Sequence, residues 1–333
     1  MKSDIENIYN NDIPHFLNDY FNYLATIKGS SINTIVAYTA DLSLLLKFIK
    51  VYKGLEPSDK SLPLEEIIIR ELTLDTLKTL TLQDLYAFVS YLGKQRANGN
   101  YAKARKIAAI KSLFKYLTTK AKVLTVDPTI DLESPKLGKR SPVFLTLDES
   151  KTLLDATNSR DKHSIRDHSI ITLFLNCGLR LSELCSINIS AMKNDTLSII
   201  GKGNKERTIY LNKASLNAIY KYLPIRNADI EKIHVEDKDA LFISGKFGRI
   251  NKRTVERIVK KHIGNAGLNK NKYTPHKLRH TSATLMYKYG NVDIRSLQEI
   301  LGHENISTTQ IYTHVDNEKL RNAVKSNPLS DEQ

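Results

Sequence analysis

The chain has 333 residues, 41% of them hydrophobic, which is enough to bury one large core or two ordinary ones. Its 50 Lys and Arg against 36 Asp and Glu give a net charge of +14, which favours a polyanionic partner, nucleic acid before membrane. A basic protein without such a partner would carry the same excess. Cys177 and Cys185 are the two cysteines and indicate reduced core thiols rather than a disulfide framework or a metal site.

The first fifty residues predict two helices. Apolar residues recur every three or four positions from Phe16 to Leu24, and after a break at residues 28–31 a second pattern runs to Phe48. Ser31 or Asn33 can cap that second helix. The start of the chain has no basic segment followed by an apolar run, and no stretch approaches eighteen apolar residues, so we expect a cytoplasmic protein.

The most one-sided charge run follows a third predicted helix, which opens with a capping box from Thr81 to Asp84. Residues 94–122 contain nine basic residues and no Asp or Glu, with apolar residues at helical spacing between them. Such a run is usually a solvated helix face, but it also suits a helix that lies along a phosphate backbone or enters a major groove, which we favour here. The candidate DNA-binding residues are Lys94, Arg96, Lys103, Arg105, Lys106 and Lys111.

A domain boundary is predicted after this helix, because residues 126–142 hold three prolines, a glycine and several bases. We expect an N-terminal domain at residues 1–133, a basic linker at 134–142 and a C-terminal domain at 143–333. Lys139 and Arg140 in the linker are further candidates for contact with DNA. A linker of this kind would let two domains close around a duplex.

The C-terminal region opens with a capping box from Thr146 to Glu149 and continues into a strongly apolar helix at residues 165–175. Gly178 is a plausible C-cap that would present Arg180 at the start of the next helix. On the residues alone, Arg180 and Glu183 could equally form an ordinary buried ion pair. A charged stretch at residues 229–239 carries no motif, and residues 251–264 predict a basic helix.

A β-hairpin is predicted at residues 196–211, with the turn sequence GKGNKER between two apolar strands. Lys202 lies between two glycines that would allow a close approach to DNA, so we favour it over Lys205 as a functional residue. A turn rich in glycine and lysine is weak evidence by itself. The full P-loop pattern is absent, so nucleotide binding is not indicated.

The last functional stretch runs over residues 274–315. Thr274 and Pro275 predict a helix start, which places His276 and Arg279 on one face, with His280 next to them. A helix at residues 293–301 would end at Gly302 and present His303, and Tyr312 would lie in a short helix at residues 307–315 opened by Ser307 or Thr308. Taken singly, each of these residues has an ordinary core or surface interpretation.

Together, the segments NCGLRLSEL, HKLRH and LGHENISTTQIYTHV resemble the active-site boxes of the tyrosine recombinases, the phage integrase family that includes the Xer-type chromosome resolvases. Their order and spacing match throughout the second half of the chain, whereas the first half is similar only in general character. The resemblance implies a mainly α fold with a small antiparallel β-sheet. It further implies a two-domain DNA clamp, with an N-terminal helical core-binding domain and a mixed α/β catalytic domain.

The resemblance also implies roles for individual residues: Arg180 would contact the scissile phosphate, Glu183 would support it, and Lys202 would protonate the leaving 5′-oxygen. The chemistry is consistent with this, because Tyr312 offers a nucleophile while Arg279 and His303 add donors for phosphate oxygens. His276, with an ordinary pKa of about 6.5, would take or orient the tyrosine proton. The energy of the broken bond would stay in a 3′-phosphotyrosine, so we expect no cofactor, neither a metal nor ATP.

By the same resemblance, the protein would act on double-stranded DNA with an inverted-repeat core site, as a ring of four protomers on two duplexes. It could work alone or with a second recombinase, and a helix at residues 317–324 could pack onto the neighbouring protomer. Dimer resolution and integration or excision of a mobile element both remain open. Two alternatives are a type IB topoisomerase, against which the Xer-like boxes argue, and a catalytically silent DNA-binding relative, against which the intact catalytic positions argue.

Overall fold

The computed structural model describes residues 12–55, 63–138, 142–158, 162–200 and 206–315. The chain divides into two compact units, residues 1–139 (unit 1) and 140–333 (unit 2), and each has its own hydrophobic core. The described residues form mainly α-helices and one three-stranded antiparallel sheet, which confirms the predicted fold class. Lys139 and Arg140 lie outside the described residues.

Unit 1 is helical. Its helices are α1 (His15–Thr26), α2 (Ile32–Tyr52), α3 (Leu74–Lys78), α4 (Leu82–Lys94) and α5 (Asn100–Thr119), with a 3-10 turn at Leu64–Glu66. Ser31 caps α2 by accepting a hydrogen bond from the backbone N–H of Thr34, and Thr81 and Asp84 form the predicted capping box of α4. The short helix α3 was not predicted, because five residues are too few to show a helical period.

The central helix of unit 1 is α2, which contacts α1, α4 and α5. By length and composition alone α2 could cross a membrane. However, Leu42, Leu45 and Ile49 pack in the core of unit 1, and Asp41 is buried in an ion pair with Lys106. We therefore interpret α2 as a core helix.

Unit 2 is built around α7, the apolar helix expected at residues 165–175. Its helices are α6 (Leu147–Asp155), α7 (Lys162–Cys177), α8 (Leu181–Ser186), α9 (Lys213–Ala228), α10 (Lys252–Asn265), α11 (Pro275–Tyr289) and α12 (Ile294–Leu301). Short 3-10 turns lie at Ile189–Ala191, Ile230–Lys232, Val235–Asp237, Ile306–Thr308 and Gln310–Val315. The helix α7 contacts α6, α9, α10 and α11, and Ile170, Leu173 and Phe174 along it are fully buried. The helix α11, which carries His276, Arg279 and His280, packs directly against it.

The sheet of unit 2 contains the predicted hairpin. Its strands are β1 (Met192–Lys193), β2 (Thr196–Ile200) and β3 (Glu206–Tyr210), in the order β1-β2-β3. Leu197 lies opposite Ile209, and Ile199 lies opposite Arg207, so Arg207 and Ile209 share one face of β3. The turn at residues 201–205, with Lys202 and Lys205, lies outside the described residues.

The last elements of unit 2 follow the sequence prediction closely up to Gly302. Thr274 is the N-cap of α11, and Gly302 ends α12 in the left-handed conformation with φ of +62°. The segment with Tyr312 differs from the prediction: it forms 3-10 turns capped by Asn305, whose side chain accepts a hydrogen bond from the N–H of Ser307. The helix expected at residues 317–324 lies outside the described residues.

Candidate active site

The centre of the site is a buried carboxylate, that of Glu183 on α8, whose exposed fraction is 2%. Arg180 Nη1 donates a hydrogen bond to Glu183 Oε1 at 2.6 Å, and Arg207 Nη2 donates one to Oε2 at 2.9 Å. Arg279 Nη1 lies 3.8 Å from Oε2. We call Arg180, Arg207 and Arg279 the arginine trio. Three guanidinium groups around one carboxylate leave an excess of two positive charges, which suits an anion such as a phosphate.

The ionisation of Glu183 follows from these contacts. Burial by itself raises the pKa of the carboxyl, but hydrogen bonds from Arg180 and the charge and hydrogen bond of Arg207 outweigh burial and hold the pKa below its ordinary value. The group is therefore a carboxylate at neutral pH. It can keep the trio in place without taking up a proton.

The position of Arg180 is set by the turn between α7 and α8. Gly178 has a φ of +59°, and a Cβ added there would lie 2.9 Å from Leu301 Cδ2, so only glycine fits both the backbone and the packing. Arg180 is then the N-cap of α8, and its backbone N–H donates to Glu183 Oε2 at 2.7 Å. Glu183 thus caps its own helix and binds the guanidinium three residues before it, so the functional pairing and the ordinary ion pair are the same contact.

Arg279, on α11, is buried, with an exposed fraction of 3%. Its Nη1 donates to the carbonyl of Gly178 and its Nη2 to the carbonyl of Leu301, both at 2.6 Å. Burial, followed by the charge of Arg180, lowers its pKa to about 10, which still leaves it cationic at neutral pH. Arg279 therefore joins the ends of α7 and α12 and supplies a fixed positive charge inside the site.

His303 follows the left-handed turn at Gly302. Arg180 Nη2 donates to the carbonyl of Gly302 at 2.5 Å, and His303 Nδ1 is 2.9 Å from Thr309 Oγ1. Burial, and then the charges of Arg279 and Arg180, lower the pKa of His303 to about 4. The imidazole is neutral at pH 7 and can offer an N–H donor to a phosphate oxygen without adding charge.

Tyr312 is fully buried, in a small cluster with Ala283, Leu297 and Leu301. Its hydroxyl oxygen shares a hydrogen bond with His280 Nδ1 at 2.6 Å. Burial raises the pKa of Tyr312 to about 12 and lowers that of His280 to about 4, so both groups are neutral at pH 7. In this geometry the Tyr312 hydroxyl is enclosed and protonated.

The histidine in contact with Tyr312 is not the one expected from the sequence. His276 lies one turn earlier on α11. One side of its ring is exposed to solvent, and the ring packs edge-on against the His280 ring with centroids 4.4 Å apart, which partly removes it from water. Burial, then the charges of Lys277 and Arg279, lower the pKa of His276, so it can accept a proton at neutral pH. The spacing of four residues places both rings on one helix face, and this signal would have indicated His280 as a second candidate.

Arg207 was missed by the sequence analysis as a site residue. It shares the inward face of β3 with the buried Ile209, and a charged residue on the inward face of a strand calls for a buried partner, here Glu183. Strand alternation could therefore have identified Arg207, although not its partner. Within the described ranges, no group of three or more His, Cys, Asp or Glu side chains is placed to hold a metal ion.

The phage integrase family model matches residues 143–319, more than half of the chain. The chain belongs to the phage integrase family. It is 52% identical to tyrosine recombinase XerC of Caldanaerobacter subterraneus subsp. tengcongensis over 96% of this chain and 88% of that protein. It is 31% identical to tyrosine recombinase XerD of Listeria monocytogenes over 93% of this chain and 97% of that protein. The protein is thus a tyrosine recombinase, an enzyme that cleaves and rejoins DNA.

Solved structures of recombinases show the same fold. XerH bound to its difH substrate in a pre-cleavage complex is 25% identical, with a TM-score of 0.65 over 90% of this chain and 80% of that one. A λ integrase tetramer bound to a Holliday junction has a TM-score of 0.61 at 18% identity, over 88% of this chain and 77% of that one, which shows the fold alone. The predicted family and the predicted enzyme class are confirmed.

The candidate DNA-binding residues of this recombinase in unit 1 are not equivalent. Lys106 lies on the buried stripe of α5 with Ile110 and Leu113, and its Nζ donates to Asp41 Oδ1 at 2.7 Å. Its ammonium group therefore faces a buried carboxylate and not solvent, which corrects the expectation that it contacts DNA. Arg105 Nη1 lies 2.7 Å from Asp41 Oδ2, an ion pair that is not aligned for a hydrogen bond.

A second acidic residue forms an ion pair with the basic run at residues 94–122, near the start of that run. Arg96 Nη1 donates to Glu65 Oε1 at 2.6 Å, across 31 residues of sequence. Lys94 is exposed, and Lys103 and Lys111 are partly exposed. A run that is free of acids in the sequence is therefore not free of acids in space, and Lys94, Lys103 and Lys111 remain the stronger candidates for phosphate contact.

Proposed function

We propose that this recombinase performs site-specific recombination of the Xer type, with Tyr312 as the nucleophile. In this proposal the phosphate is bound by the partly exposed side chains of Arg180 and His303 and by the charge of the buried Arg279. The observation that carries this assignment is the excess of two positive charges around Glu183, within the same small group of helices that holds Tyr312. A scissile phosphate, which carries one negative charge and gains another in the transition state, matches that excess.

In the proposed reaction, the Tyr312 oxygen attacks the scissile phosphorus while the bond from phosphorus to the 5′-oxygen breaks. The tyrosine proton passes to a histidine, either His280, its partner in the structure, or His276 one turn away. The departing 5′-oxygen takes a proton from Lys202. The product is a 3′-phosphotyrosine, and a 5′-hydroxyl from another strand reverses the steps to rejoin DNA. Exchange of the first pair of strands forms a Holliday junction, and the same steps on the second pair resolve it into recombinant duplexes.

Cleavage also requires Tyr312 to move. Its side chain is fully buried, so its hydroxyl cannot meet a scissile phosphate unless the surrounding segment opens. The segment that carries it is made of short 3-10 turns rather than a long helix, and such turns reorganise more easily than a regular helix does. We expect this rearrangement to accompany DNA binding.

The similarity to the relatives supports further proposals on the biological role, the DNA site and the assembly. The match to XerC over nearly the whole chain favours dimer resolution on a chromosome over integration of a mobile element, and hence action in the cytoplasm. We propose a double-stranded core site with inverted repeats, bound by two protomers on each of two duplexes, with or without a second recombinase.

Covalent capture tests this proposal. The purified protein is incubated with sheared DNA from its host in the presence of EDTA and denatured in detergent, and DNA that remains bound to protein is sequenced. Tyr312→Phe should abolish the adduct, whereas Tyr287→Phe, which alters a partly buried tyrosine beside the same cluster, should retain it. Discrete fragments that share an inverted repeat would support recombination. Scattered fragments would indicate a topoisomerase, and no adduct with the wild-type protein would indicate a silent DNA-binding protein.

A further inference from the structure

Arg207, on the hairpin strand β3, completes the arrangement around Glu183. We propose that Arg207 is a positioning residue for DNA cleavage, which fixes Glu183 and the C-terminal turn of α12 so that Arg180 and His303 are held in place for the scissile phosphate. This inference rests on the proposed function. Three features of the contacts support it.

The first feature is that each member of the arginine trio binds a different backbone carbonyl at the C-terminal end of α12. Arg207 Nη1 donates to the carbonyl of Ile300, Arg279 Nη2 to that of Leu301, and Arg180 Nη2 to that of Gly302. The last carbonyls of a helix have no partner within the helix and form the negative end of its dipole. Each arginine of the trio thus satisfies one of three consecutive carbonyls, directly before His303. Removing Arg207 would release the first of the three.

The second feature is the orientation of the Glu183 carboxylate. Oε1 accepts from Arg180 Nη1, whereas Oε2 accepts from the Arg180 backbone N–H at 2.7 Å and from Arg207 Nη2 at 2.9 Å. Arg279 is 3.8 Å from Oε2, beyond hydrogen-bond distance. Without Arg207, Oε2 would keep only the Arg180 backbone N–H as a hydrogen-bond donor. The carboxylate could then shift towards Arg279, and the guanidinium of Arg180, which is bound to Oε1, would shift with it.

The third feature is the enclosure of Arg207. Both of its terminal nitrogens are used, and its Nε is buried with no hydrogen-bond partner among the described residues. A Cβ added at Gly302 would lie 2.9 Å from Arg207 Cδ and 3.0 Å from Nε, so the side chain lies directly against that glycine. The side chain of Arg207 is 15% exposed against 31% for Arg180. Arg207 therefore acts through its neighbours, and Arg180 is the member of the trio that faces solvent.

The test uses single-turnover cleavage of a nicked DNA substrate that contains the site recovered by covalent capture. At saturating DNA, Arg207→Gln should form the covalent adduct about 100-fold more slowly than the wild type, because a misplaced donor costs about that factor, while the dissociation constant for DNA changes little. Arg207→Lys should recover part of the rate, since one ammonium group can reach Glu183 or the Ile300 carbonyl but not both. The matched control is Arg226→Gln, another buried arginine that donates to backbone carbonyls, those of Lys238 and Ala240, away from Glu183.

A second substrate separates positioning from general loss of structure. When a methyl group replaces one non-bridging oxygen of the scissile phosphate, less charge has to be stabilised by donors in the transition state. The rate deficit of Arg207→Gln should then shrink to about tenfold or less. An unchanged rate for Arg207→Gln, or an equal deficit on both substrates that follows the melting temperature as it does for Arg226→Gln, would overturn the inference. Failure of the wild type to form any adduct would instead overturn the proposed function, and the inference with it.

Discussion

Both units of this recombinase bury a carboxylate among basic side chains, but the balance of charge differs. In unit 1, Asp41 is paired with Lys106 inside the core and with Arg105 at its edge, and the Arg105 side chain is 46% exposed. In unit 2, Glu183 is surrounded by the arginine trio, two members of which are largely enclosed. The excess charge of unit 1 faces water, whereas part of the excess in unit 2 is held inside the protein by Arg207 and Arg279.

The difference indicates which cluster serves the fold and which serves a ligand. An enclosed charge without a counter-charge costs free energy, so a fold does not gain by enclosing two guanidinium groups, Arg207 and Arg279, around one carboxylate. A phosphate that enters unit 2 would neutralise part of that excess. The pair in unit 1 is already close to neutral and needs no ligand. Substitutions in the two clusters should therefore have different consequences.

The largest expected effect separates chemistry from stability. Arg279→Gln removes an enclosed charge from the phosphate site, so we expect covalent adduct formation to slow by about 10²–10³-fold while DNA binding stays within a few-fold of the wild type. Lys106→Gln makes the same kind of change in unit 1. It leaves Asp41 buried without its main partner and should lower the free energy of unfolding by about 3 kcal/mol without changing the cleavage rate of bound protein.

Single-turnover cleavage, a DNA titration and a thermal melt of both variants would check this pair. A loss of cleavage in Lys106→Gln at saturating DNA and below its melting temperature would show that unit 1 takes part in the chemistry. An Arg279→Gln variant that melts early but cleaves normally would show that the trio is structural. Either result would remove the distinction drawn between the two clusters.

The second prediction concerns acid. His280 and His303 have pKa values lowered to about 4, so between about pH 6.5 and pH 4 the unfolded chain binds protons that the folded chain does not. Stability is therefore full above about pH 6.5 and falls as the pH decreases towards 4. Allowing for partial exposure, each histidine should cost about 1 kcal/mol at pH 5, or about 2–4 °C in Tm.

Calorimetry of the wild type at about pH 7 and about pH 5 would measure this loss, and His280→Asn should reduce it because one of the two groups is gone. The described core of unit 1 contains no buried histidine. The loss of stability at low pH should therefore appear in the unfolding transition of unit 2. Equal acid sensitivity in the wild type and His280→Asn would contradict the assignment of a neutral, enclosed His280.

Local signals in the sequence were enough to predict much of both units. The capping boxes at Thr81 and Thr146, the helix start at Thr274 and the left-handed glycine at 302 each depend on residues within four positions of one another. The segment with Tyr312 was placed correctly in the chain but not in its conformation. The predicted short helix is replaced by two 3-10 turns that contact α11 and α12, and periodicity within the segment does not record such contacts.

The parts that the sequence did not reveal depend on contacts between distant residues. Lys106 meets Asp41 across 65 positions, Arg207 meets Glu183 across 24, and Arg180 reaches Gly302 across 122. A basic residue has the same appearance in a sequence whether its charge faces phosphate, water or a buried carboxylate. The resemblance to a family indicated Arg180 and Arg279, but only the folded chain shows Arg207 beside them and His280 against Tyr312.

The smallest expected effect concerns the charges of unit 1 that remain available for DNA. Lys94 is exposed, so if it neutralises one phosphate, Lys94→Gln should weaken DNA binding only a few-fold and reduce the slope of log affinity against log salt by about 0.9. Lys106→Gln is the matched control from the neighbouring helix and should leave that slope unchanged, because its ammonium group already faces Asp41. Fluorescence anisotropy with labelled site DNA over a range of salt concentrations would measure both slopes. If Lys106→Gln lowered the slope as much as Lys94→Gln, the ion pair with Asp41 would have to open on DNA, and the two clusters would differ in degree rather than in kind.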